Sequence, residues 1–345
     1  MQGILSGALL FLFCHVEKKV YFCILKNNII TAMKYSIGVD MGGTNTDMGL
    51  VTENGNIIQR RNIPTNAYTE LEPYVRDMMR EIKAMVDEQQ AIDGEAVELE
   101  GIGIGAPNGN FYTGCVDNAP NLTIKGVLDF GKEIKKYLPV PVVLSNDANA
   151  AAYGEYVYGG ARGMKHFIMF TLGTGVGSGI VVDGKLVHGS TGGAGELGHN
   201  ILIPHGRKCS CGREGCLETY TSARGIVQTY CELKGCPVTP DITSKMIGEL
   251  AHQGDPVALK TWETVADQLG LAMANSVTFS APEAIFLMGG PAQVGEPLLK
   301  PLRAAFEKYL LNIYQGSCQI RMSELRANEV AILGAAALIK MKSEK

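Results

Sequence analysis

The sequence has no surplus of positive charge. Its 31 lysines and arginines are outnumbered by 35 aspartates and glutamates, which gives a formal net charge of −4 at pH 7. Proteins that bind DNA or RNA carry clustered lysine and arginine that neutralise phosphates. This balance offers no such surface, and we expect no nucleic-acid partner. A chain of 345 residues that is 46% hydrophobic and 19% charged is typical of a soluble globular protein with about two domains.

Long hydrophobic runs are also missing. The apolar stretch at residues 4–14 is too short to span a bilayer, and it has neither the basic start nor the cleavage site of a secretory signal. A folded domain begins more naturally at Met33, with MKYSIGVDMGG. We therefore expect no membrane partner, and we expect residues 1–32 to be a leader outside the fold that stems from a start codon assigned too early. A membrane-tethering leader is the alternative.

The cysteines do not follow the pattern of a secreted protein. Three of the nine fall within eight residues, and the others are scattered along the chain. Scattered thiols suit the reducing cytosol, so the expected location is the cytoplasm. The scattered residues are Cys14, Cys23, Cys115, Cys231, Cys236 and Cys318.

The three clustered cysteines lie in a glycine-rich loop, GHNILIPHGRKCSCGREGCLE. Its glycines give the backbone the freedom to fold three thiolates around one point. Three sulfurs and one imidazole nitrogen form the tetrahedron of a closed structural zinc site, and a Cys-x-Cys pair is badly placed to form a disulfide with itself. Free or disulfide-linked thiols are the alternative. The spacing predicts zinc bound by His199, Cys209, Cys211 and Cys216.

A strand, a glycine turn and a second strand open the predicted domain. YSIGVD is followed by MGGTNTDMGLV, a pattern typical of a hairpin whose turn amides face a phosphate. Asp40 at the strand end is a candidate ligand for hydrated magnesium, and Gly42 and Gly43 would let a phosphate approach. A plain hairpin with a Gly-Gly turn is the alternative. Asp47 would add negative charge near the phosphate unless strand alternation turns it away.

The same design returns in the second half of the chain. A predicted strand at residues 166–171 is followed by LGTGVGSGIVVDGKLV, in which alternate glycines surround Thr174 and Ser178. We predict a second phosphate-cradling hairpin, in which a hydroxyl and the turn amides face a nucleotide. A glycine-rich turn by itself is a weak indicator, and its repetition in both halves strengthens the prediction.

Two polar residues stand where a buried strand gives way to a helix. VPVVLSND is typical of a buried strand, and ANAAAYGEYVYG begins a helix. Ligands of open α/β sheets bind at the carboxyl ends of strands, so Asn146 and Asp147 are candidate site residues. An aspartate in this position is often only an N-cap. Asn149 is available for that role, which would leave Asp147 free to be a general base.

Polar side chains in two loops complete the candidates. The long loop APNGNFYTGCVDNAPNL is rich in glycine, asparagine and proline, as functional loops often are. The amides of Asn108 and Asn121 would suit sugar hydroxyls, although turn formation explains asparagines equally well. Glu196 and Glu218 flank the cysteine loop, either as surface charges or as two groups that face one small polar ligand.

Five motifs together resemble the ROK family of sugar kinases and repressors, and within it the bacterial glucokinases: DMGGT, SNDAN, LGTGVGSG, GELGH and CSCGREGCLETY. The resemblance runs from Met33 to the C-terminus. It implies an α/β protein with the actin-like ATPase (ribonuclease H-like) fold, in which two mixed-sheet domains close over a cleft. The expected domains are residues 33–150, joined by a C-terminal helix at 327–345, and residues 151–326, which carry the zinc loop.

The resemblance also implies an activity: ATP-dependent phosphorylation of glucose at its 6-hydroxyl by a homodimer, with magnesium bound and Asp147 as the catalytic base. N-acetylmannosamine and N-acetylglucosamine are alternative substrates. His199 would use one ring nitrogen for zinc and the other for the sugar. The implied sugar ligands are Asn121, Asn146, Asp147, Glu196, His199 and Glu218. The implied nucleotide ligands are Asp40, Gly42, Gly43, Thr44, Asn45, Gly173, Thr174, Gly175, Gly289 and Gly290.

A sugar-responsive repressor is the alternative from another functional class. Repressors of this family carry a helix-turn-helix domain ahead of the kinase-like body. Only 32 residues precede Met33, and they contain three basic side chains. We therefore expect an enzyme.

Overall fold

The computed structural model describes residues 33–94 and 97–344. Of the first 32 residues it describes only an antiparallel pair, β1 (Phe13–Val16) and β2 (Lys19–Phe22). The expected leader therefore lies mostly outside the described residues and stays a prediction. Within the described part of the chain, no helix is both long enough and apolar enough to cross a membrane.

The first half of the chain forms a lobe around a five-stranded mixed sheet. Its elements are β3 (Lys34–Met41), β4 (Asn45–Thr52), β5 (Ile57–Pro64), α1 (Leu71–Asp93), β6 (Glu98–Ala106), β7 (Gly109–Asn110), β8 (Cys115–Asp117), β9 (Val127–Asp129), α2 (Phe130–Ile134) and β10 (Val142–Asn146). The sheet order is β10-β6-β3-β4-β5, with β3–β5 antiparallel and β6 and β10 added in parallel. The apolar face of α1, which includes Val75, Met78, Ile82 and Met85, packs on this sheet.

The long loop after β6 is more ordered than its composition predicts. Strands β7, β8 and β9 pair there as a small antiparallel sheet. Two short antiparallel pairings therefore replace part of the irregular loop that glycine, asparagine and proline suggest. The small sheet holds the residues that follow β6 beside the end of that strand.

The second lobe repeats the plan of the first. Its elements are α3 (Asp147–Tyr158), β11 (Phe167–Leu172), β12 (Val176–Val182), β13 (Lys185–Leu186), α4 (Glu218–Thr221), α5 (Ala223–Lys234), α6 (Ser244–His252), α7 (Pro256–Ser280), β14 (Ala284–Met288), α8 (Glu296–Tyr309), β15 (Gln319–Met322) and α9 (Val330–Ala337). The sheet order is β13-β12-β11-β14-β15, again with three antiparallel strands and two parallel additions. Trp262 of α7 is buried in the core of this lobe.

Helices α3 and α9 pack against each other; α3 contacts strands of both sheets, and α9 contacts β3, β4 and β6 of the first sheet. A β-carbon on Gly103 of β6 would stand 1.8 Å from the carbonyl oxygen of Ala335 in α9, so only glycine allows this approach. A β-carbon on Gly179 of β12 would stand 2.4 Å from Cβ of Ala152 in α3. Small residues thus bring both helices close to the sheets. The predicted domain boundary after residue 150 falls inside α3, which contacts both sheets.

Candidate active site

The four predicted zinc ligands converge on one point. The ligand atoms of His199, Cys209, Cys211 and Cys216 all lie within 4.8 Å of one another. Nδ1 of His199 is 3.6 Å from Sγ of Cys209, and the Sγ atoms of Cys211 and Cys216 are also 3.6 Å apart. Tetrahedral zinc with its usual bond lengths separates such atoms by roughly 3.5–3.8 Å. This donor set therefore fits a closed, four-ligand zinc site.

Two arginines shape the loop around these ligands. The guanidinium of Arg207 lies 4.7 Å from the centre of the Tyr220 ring and donates to Glu232 at 2.6 Å, which fastens the loop to α4 and α5. The backbone amide of Arg213 donates to Cys211 and lowers the pKa of that thiol to about 6. Zinc binds the thiolate form of cysteine, so this hydrogen bond favours the ligating state.

The predicted sugar ligands line a single cavity of about 470 Å³ between the lobes. The turn between β11 and β12 forms another of its walls, and Asn108 also lines it. Carboxylates, amides and one imidazole face this space, and its lining contains no lysine or arginine. Such a lining favours a neutral ligand with many hydroxyl donors over an anionic one. The six residues are Asn121, Asn146, Asp147, Glu196, His199 and Glu218.

Asn146 caps the helix that begins at the cavity. Its Oδ1 accepts from the amide of Ala148 at 2.9 Å, and Oδ1 of Asp147 accepts from the same amide at 2.8 Å. The prediction that Asn149 is the cap is therefore wrong, because Asn149 lies within α3 and is buried. The extended backbone of Asn146 lets its oxygen reach the helix amides, as an N-cap requires. The side-chain nitrogen of Asn146 is the group left to face a ligand.

Two of the carboxylates in the cavity, those of Asp147 and Glu196, have raised pKa values. Asp147 is reachable from the solvent, but protein atoms surround it on most sides, and this desolvation raises its pKa. Desolvation also raises the pKa of Glu196; His199 opposes that shift, and the charges of Asp147 and Glu218 add to it. A higher pKa makes a carboxylate a better proton acceptor, and this suits a general base.

A smaller cavity of about 200 Å³ adjoins the first and shares Asp147, Thr171 and Met288 with it. Asp40 lines this cavity, where desolvation, assisted by the charges of Asp147 and Asp47, raises its pKa to about 6. Asp47 is the direct cross-strand partner of Asp40, so both side chains lie on the same face of the sheet. Strand alternation therefore does not turn Asp47 away. Carboxylates that repel one another in this way suit a hard cation such as magnesium.

Both glycine turns reach residues of the predicted sugar set. A β-carbon on Gly43 would lie 2.6 Å from the carbonyl oxygen of Asn121. In the second turn, Oε2 of Glu218 accepts from the amide of Val176 at 3.0 Å. Each turn is thus in contact with a wall of the larger cavity. The exposed turn residues left to face a phosphate are Thr44, Asn45 and Thr174.

The Gly289–Gly290 pair follows β14, and its two residues line two different cavities. Gly289 has φ +102 and lies so close to β11 that a β-carbon would stand 1.9 Å from the carbonyl oxygen of Leu172. It lines the larger cavity, whereas Gly290 lines a separate one of about 320 Å³ beside α6. Trp262 lines that second space, and its buried Nε1 has no hydrogen-bond partner among the described residues.

The duplicated mixed sheets, with a glycine turn from each lobe at the cleft, form the actin-like ATPase fold, and the predicted fold is confirmed. The model of the ROK family matches residues 36–342. The chain belongs to the ROK family.

Sequence identity is higher to two glucokinases of this family than to one of its xylose repressors. A glucokinase of Halalkalibacterium halodurans is 34% identical over 323 residues, which are 90% of this chain and 96% of that protein. The crystal structure of a ROK family glucokinase from Streptomyces griseus, in complex with glucose and AMPPNP, is 32% identical with a TM-score of 0.70 and covers 89% of this chain and 99% of its own. The xylose repressor of Bacillus subtilis is 27% identical over 86% of this chain and 75% of its own length.

Proposed function

We propose that the protein is a sugar kinase that transfers the γ-phosphoryl group of ATP to the 6-hydroxyl of glucose. The observation that carries this proposal is the acceptor-rich cavity between the lobes, where the carboxylates of Asp147, Glu196 and Glu218 converge beside the second glycine turn. A neutral hexose supplies the hydroxyl donors that this lining needs. The Streptomyces griseus relative binds glucose and an ATP analogue, and this supports the same pair of ligands here.

Asp147 is the proposed general base. Its pKa is raised toward neutral pH relative to that of a free aspartate. The hydrogen bond from the amide of Ala148 fixes its carboxylate at the start of the helix. The sugar hydroxyl oxygen bonds to the γ-phosphorus as the bond to ADP breaks, and its proton passes to Asp147. Such a reaction asks the protein mainly to position groups and to stabilise charge.

The proposed nucleotide site lies between the glycine turns. Asp40 would hold a hydrated magnesium ion, which when bound neutralises charge on the phosphates. The turn amides near Gly43 and Gly175 would meet phosphate oxygens, and the adenosine would lie against Gly289–Gly290. Closure of the lobes would exclude water, which competes with the sugar as nucleophile.

The proposed role of zinc is structural. Four protein ligands leave no open position for a substrate, so zinc when bound supplies rigidity to the loop. Nδ1 of His199 faces Cys209, which leaves Nε2 for a sugar hydroxyl. A ligand that is oriented in this way keeps both its tautomer and its direction fixed.

An ADP-release assay with purified protein, ATP and a panel of hexoses and N-acetylhexosamines tests the proposal. We expect the highest kcat/KM with glucose, and 6-phosphorylated glucose as the product by NMR. A higher kcat/KM for N-acetylmannosamine or N-acetylglucosamine would reassign the substrate. Sugar binding by calorimetry without any ADP release would instead favour a repressor-like sensor.

A further inference from the structure

Ser178 lies in the second glycine hairpin, where the sequence pattern assigns its hydroxyl to the nucleotide. In the structure its side chain is buried, with 3% of its surface exposed. The hydroxyl donates to the carbonyl of Gly195 and accepts from the amide of Leu197 at 3.1 Å. Both hydrogen bonds therefore go to the residues on either side of Glu196. Neither is directed toward the turn that the nucleotide would meet.

Few other contacts hold the backbone around Glu196 in place. Gly195 has φ +94, a left-handed conformation, and a β-carbon there would stand 3.0 Å from the carbonyl oxygen of Ser178. The 3-10 turn Leu197–His199 begins directly after Glu196 and has no side-chain cap. The amide of His199 donates to the carbonyl oxygen of Glu196 at 3.1 Å. The position of Glu196 thus also sets where the turn to the zinc ligand begins.

We infer that Ser178 is a positioning residue for the sugar site, which holds the backbone on both sides of Glu196 and so aims its carboxylate into the cavity. This inference rests on the proposed function. Removal of the hydroxyl leaves the Gly195 carbonyl and the Leu197 amide without their partner, and the segment moves to find others. The effect falls on sugar affinity, because the hydroxyl touches no part of the proposed phosphate site.

Steady-state kinetics of Ser178→Ala tests this inference. We expect the glucose KM to rise by about 3- to 30-fold, with the ATP KM and kcat within about twofold of the wild type. Thr174→Ala is the matched control, since it removes an exposed hydroxyl of the same hairpin and should change the ATP KM instead. Ser178→Cys replaces the hydroxyl with a somewhat larger thiol that forms weaker hydrogen bonds, and its glucose KM should lie between those of serine and alanine. The cysteine variant carries the test if alanine lowers the melting temperature too far.

A double-mutant cycle separates aiming of Glu196 from a general loss of structure. On a Glu196→Ala background, Ser178→Ala should change the glucose KM by less than about twofold, because the carboxylate that it aims is gone. The inference would be overturned if Ser178→Ala raised the glucose KM equally on the wild-type and Glu196→Ala backgrounds. It would also be overturned if only the ATP KM rose. If the wild type releases ADP with glucose and Ser178→Ala has the same KM values and kcat, the inference is refuted but the proposed function is not. A wild type that turns over no hexose would refute the proposed function as well.

Discussion

The ring of Phe111 lies face to face on the imidazole of His188, with centroids 4.1 Å apart and planes 3° apart. His188 is 7% exposed, and neither of its ring nitrogens has a hydrogen-bond partner within the described residues. Burial lowers the pKa of this imidazole, so it stays neutral in the stack. Phe111 belongs to the first lobe and His188 to the second. We call residues 110–112 together with residues 188–191 the inter-lobe clasp.

Two hydrogen bonds complete the clasp. Oη of Tyr112 donates to the carbonyl oxygen of Gly189 at 2.8 Å, and Nδ2 of Asn110 donates to the carbonyl oxygen of Thr191 at 2.7 Å. One side of the clasp follows the cavity residue Asn108, and the other side leads to Glu196. The clasp therefore joins the two lobes next to the proposed sugar site.

Loss of the clasp should loosen closure over the sugar. For Phe111→Ala we expect the glucose KM to rise by about 3- to 10-fold, as loss of an aromatic pair implies, and the ratio of ATP hydrolysis to sugar phosphorylation to increase. Product analysis with limiting glucose measures both. Tyr112→Phe should have a smaller effect, and Phe279→Ala, an exposed aromatic at 82%, should have none. If Phe111→Ala and Phe279→Ala had the same glucose KM and the same ratio of hydrolysis to phosphorylation, the clasp would have no role in closure over the sugar.

Asp40 should make the free enzyme less stable at neutral pH. The folded state raises the pKa of Asp40 from 3.8 to about 6, so the folded protein holds this proton more tightly than the unfolded chain. The resulting stabilisation is full below pH 3.8 and is lost as the pH rises through 6. Asp40→Asn should therefore increase the free energy of unfolding near pH 8 by about 1–3 kcal/mol, and by little near pH 4.

Urea denaturation of the wild type and Asp40→Asn at both pH values, without nucleotide, tests this expectation. A parallel Asp47→Asn variant should give a smaller gain with the same pH trend, because the charge of Asp47 contributes less to the shift than desolvation does. A loss of stability in Asp40→Asn that is the same at every pH would contradict the prediction. It would mean that the carboxylate stabilises the fold through a hydrogen bond.

Zinc removal should weaken sugar binding more than nucleotide binding. Metal analysis of the wild type should give about one zinc per chain, as four protein ligands imply. Cys211→Ser should lose the metal and raise the glucose KM, since His199 then loses its fixed orientation. Cys115→Ser, a free thiol outside the loop, is the control and should keep both the metal and the KM. A wild type without zinc would show that this cluster has another role.

Gly175 should be intolerant of any side chain, because a β-carbon there would lie 2.5 Å from Oε2 of Glu218. Gly175→Ala displaces either that carboxylate or the turn that donates to it, and both belong to the proposed site. We expect kcat/KM to fall by about 10- to 100-fold for glucose and for ATP alike. Gly131→Ala, whose nearest neighbour is 3.7 Å away, should be neutral. If kcat/KM fell for glucose alone or for ATP alone, the turn would affect only one of the proposed sugar and nucleotide sites.

Features set by neighbouring residues could be predicted from the sequence. The zinc ligands converge as their spacing implies, because all four lie close together in the sequence, three of them in one short glycine-rich loop. Helix α7 begins at an Asp255-Pro256 pair, a local sequence signal for a helix start, and the Asp255 carboxylate accepts from the amide of Ala258 at 2.7 Å. The glycine turns, which follow a strand in each lobe, could be predicted for the same reason.

Features that depend on distant packing could not be predicted. Nothing in the local pattern relates Phe111 to His188, and Ser178 reads as a nucleotide ligand until its partners are known. Helix α8 contains Pro301, and an internal proline argues against a helix. Thr171, which lines both central cavities, did carry a signal, since it ends a predicted strand directly before the second glycine turn.

The most direct test of the proposed activity is the turnover number of Asp147→Asn with saturating glucose and ATP. Asparagine keeps the shape and the bond to the Ala148 amide but cannot take the proton, so kcat should fall by about 10²- to 10⁴-fold. Glucose affinity by calorimetry should be retained. Asp255→Asn, a matched change at the start of a helix away from the cavity, should keep full turnover. A kcat for Asp147→Asn equal to that of the wild type would contradict the account.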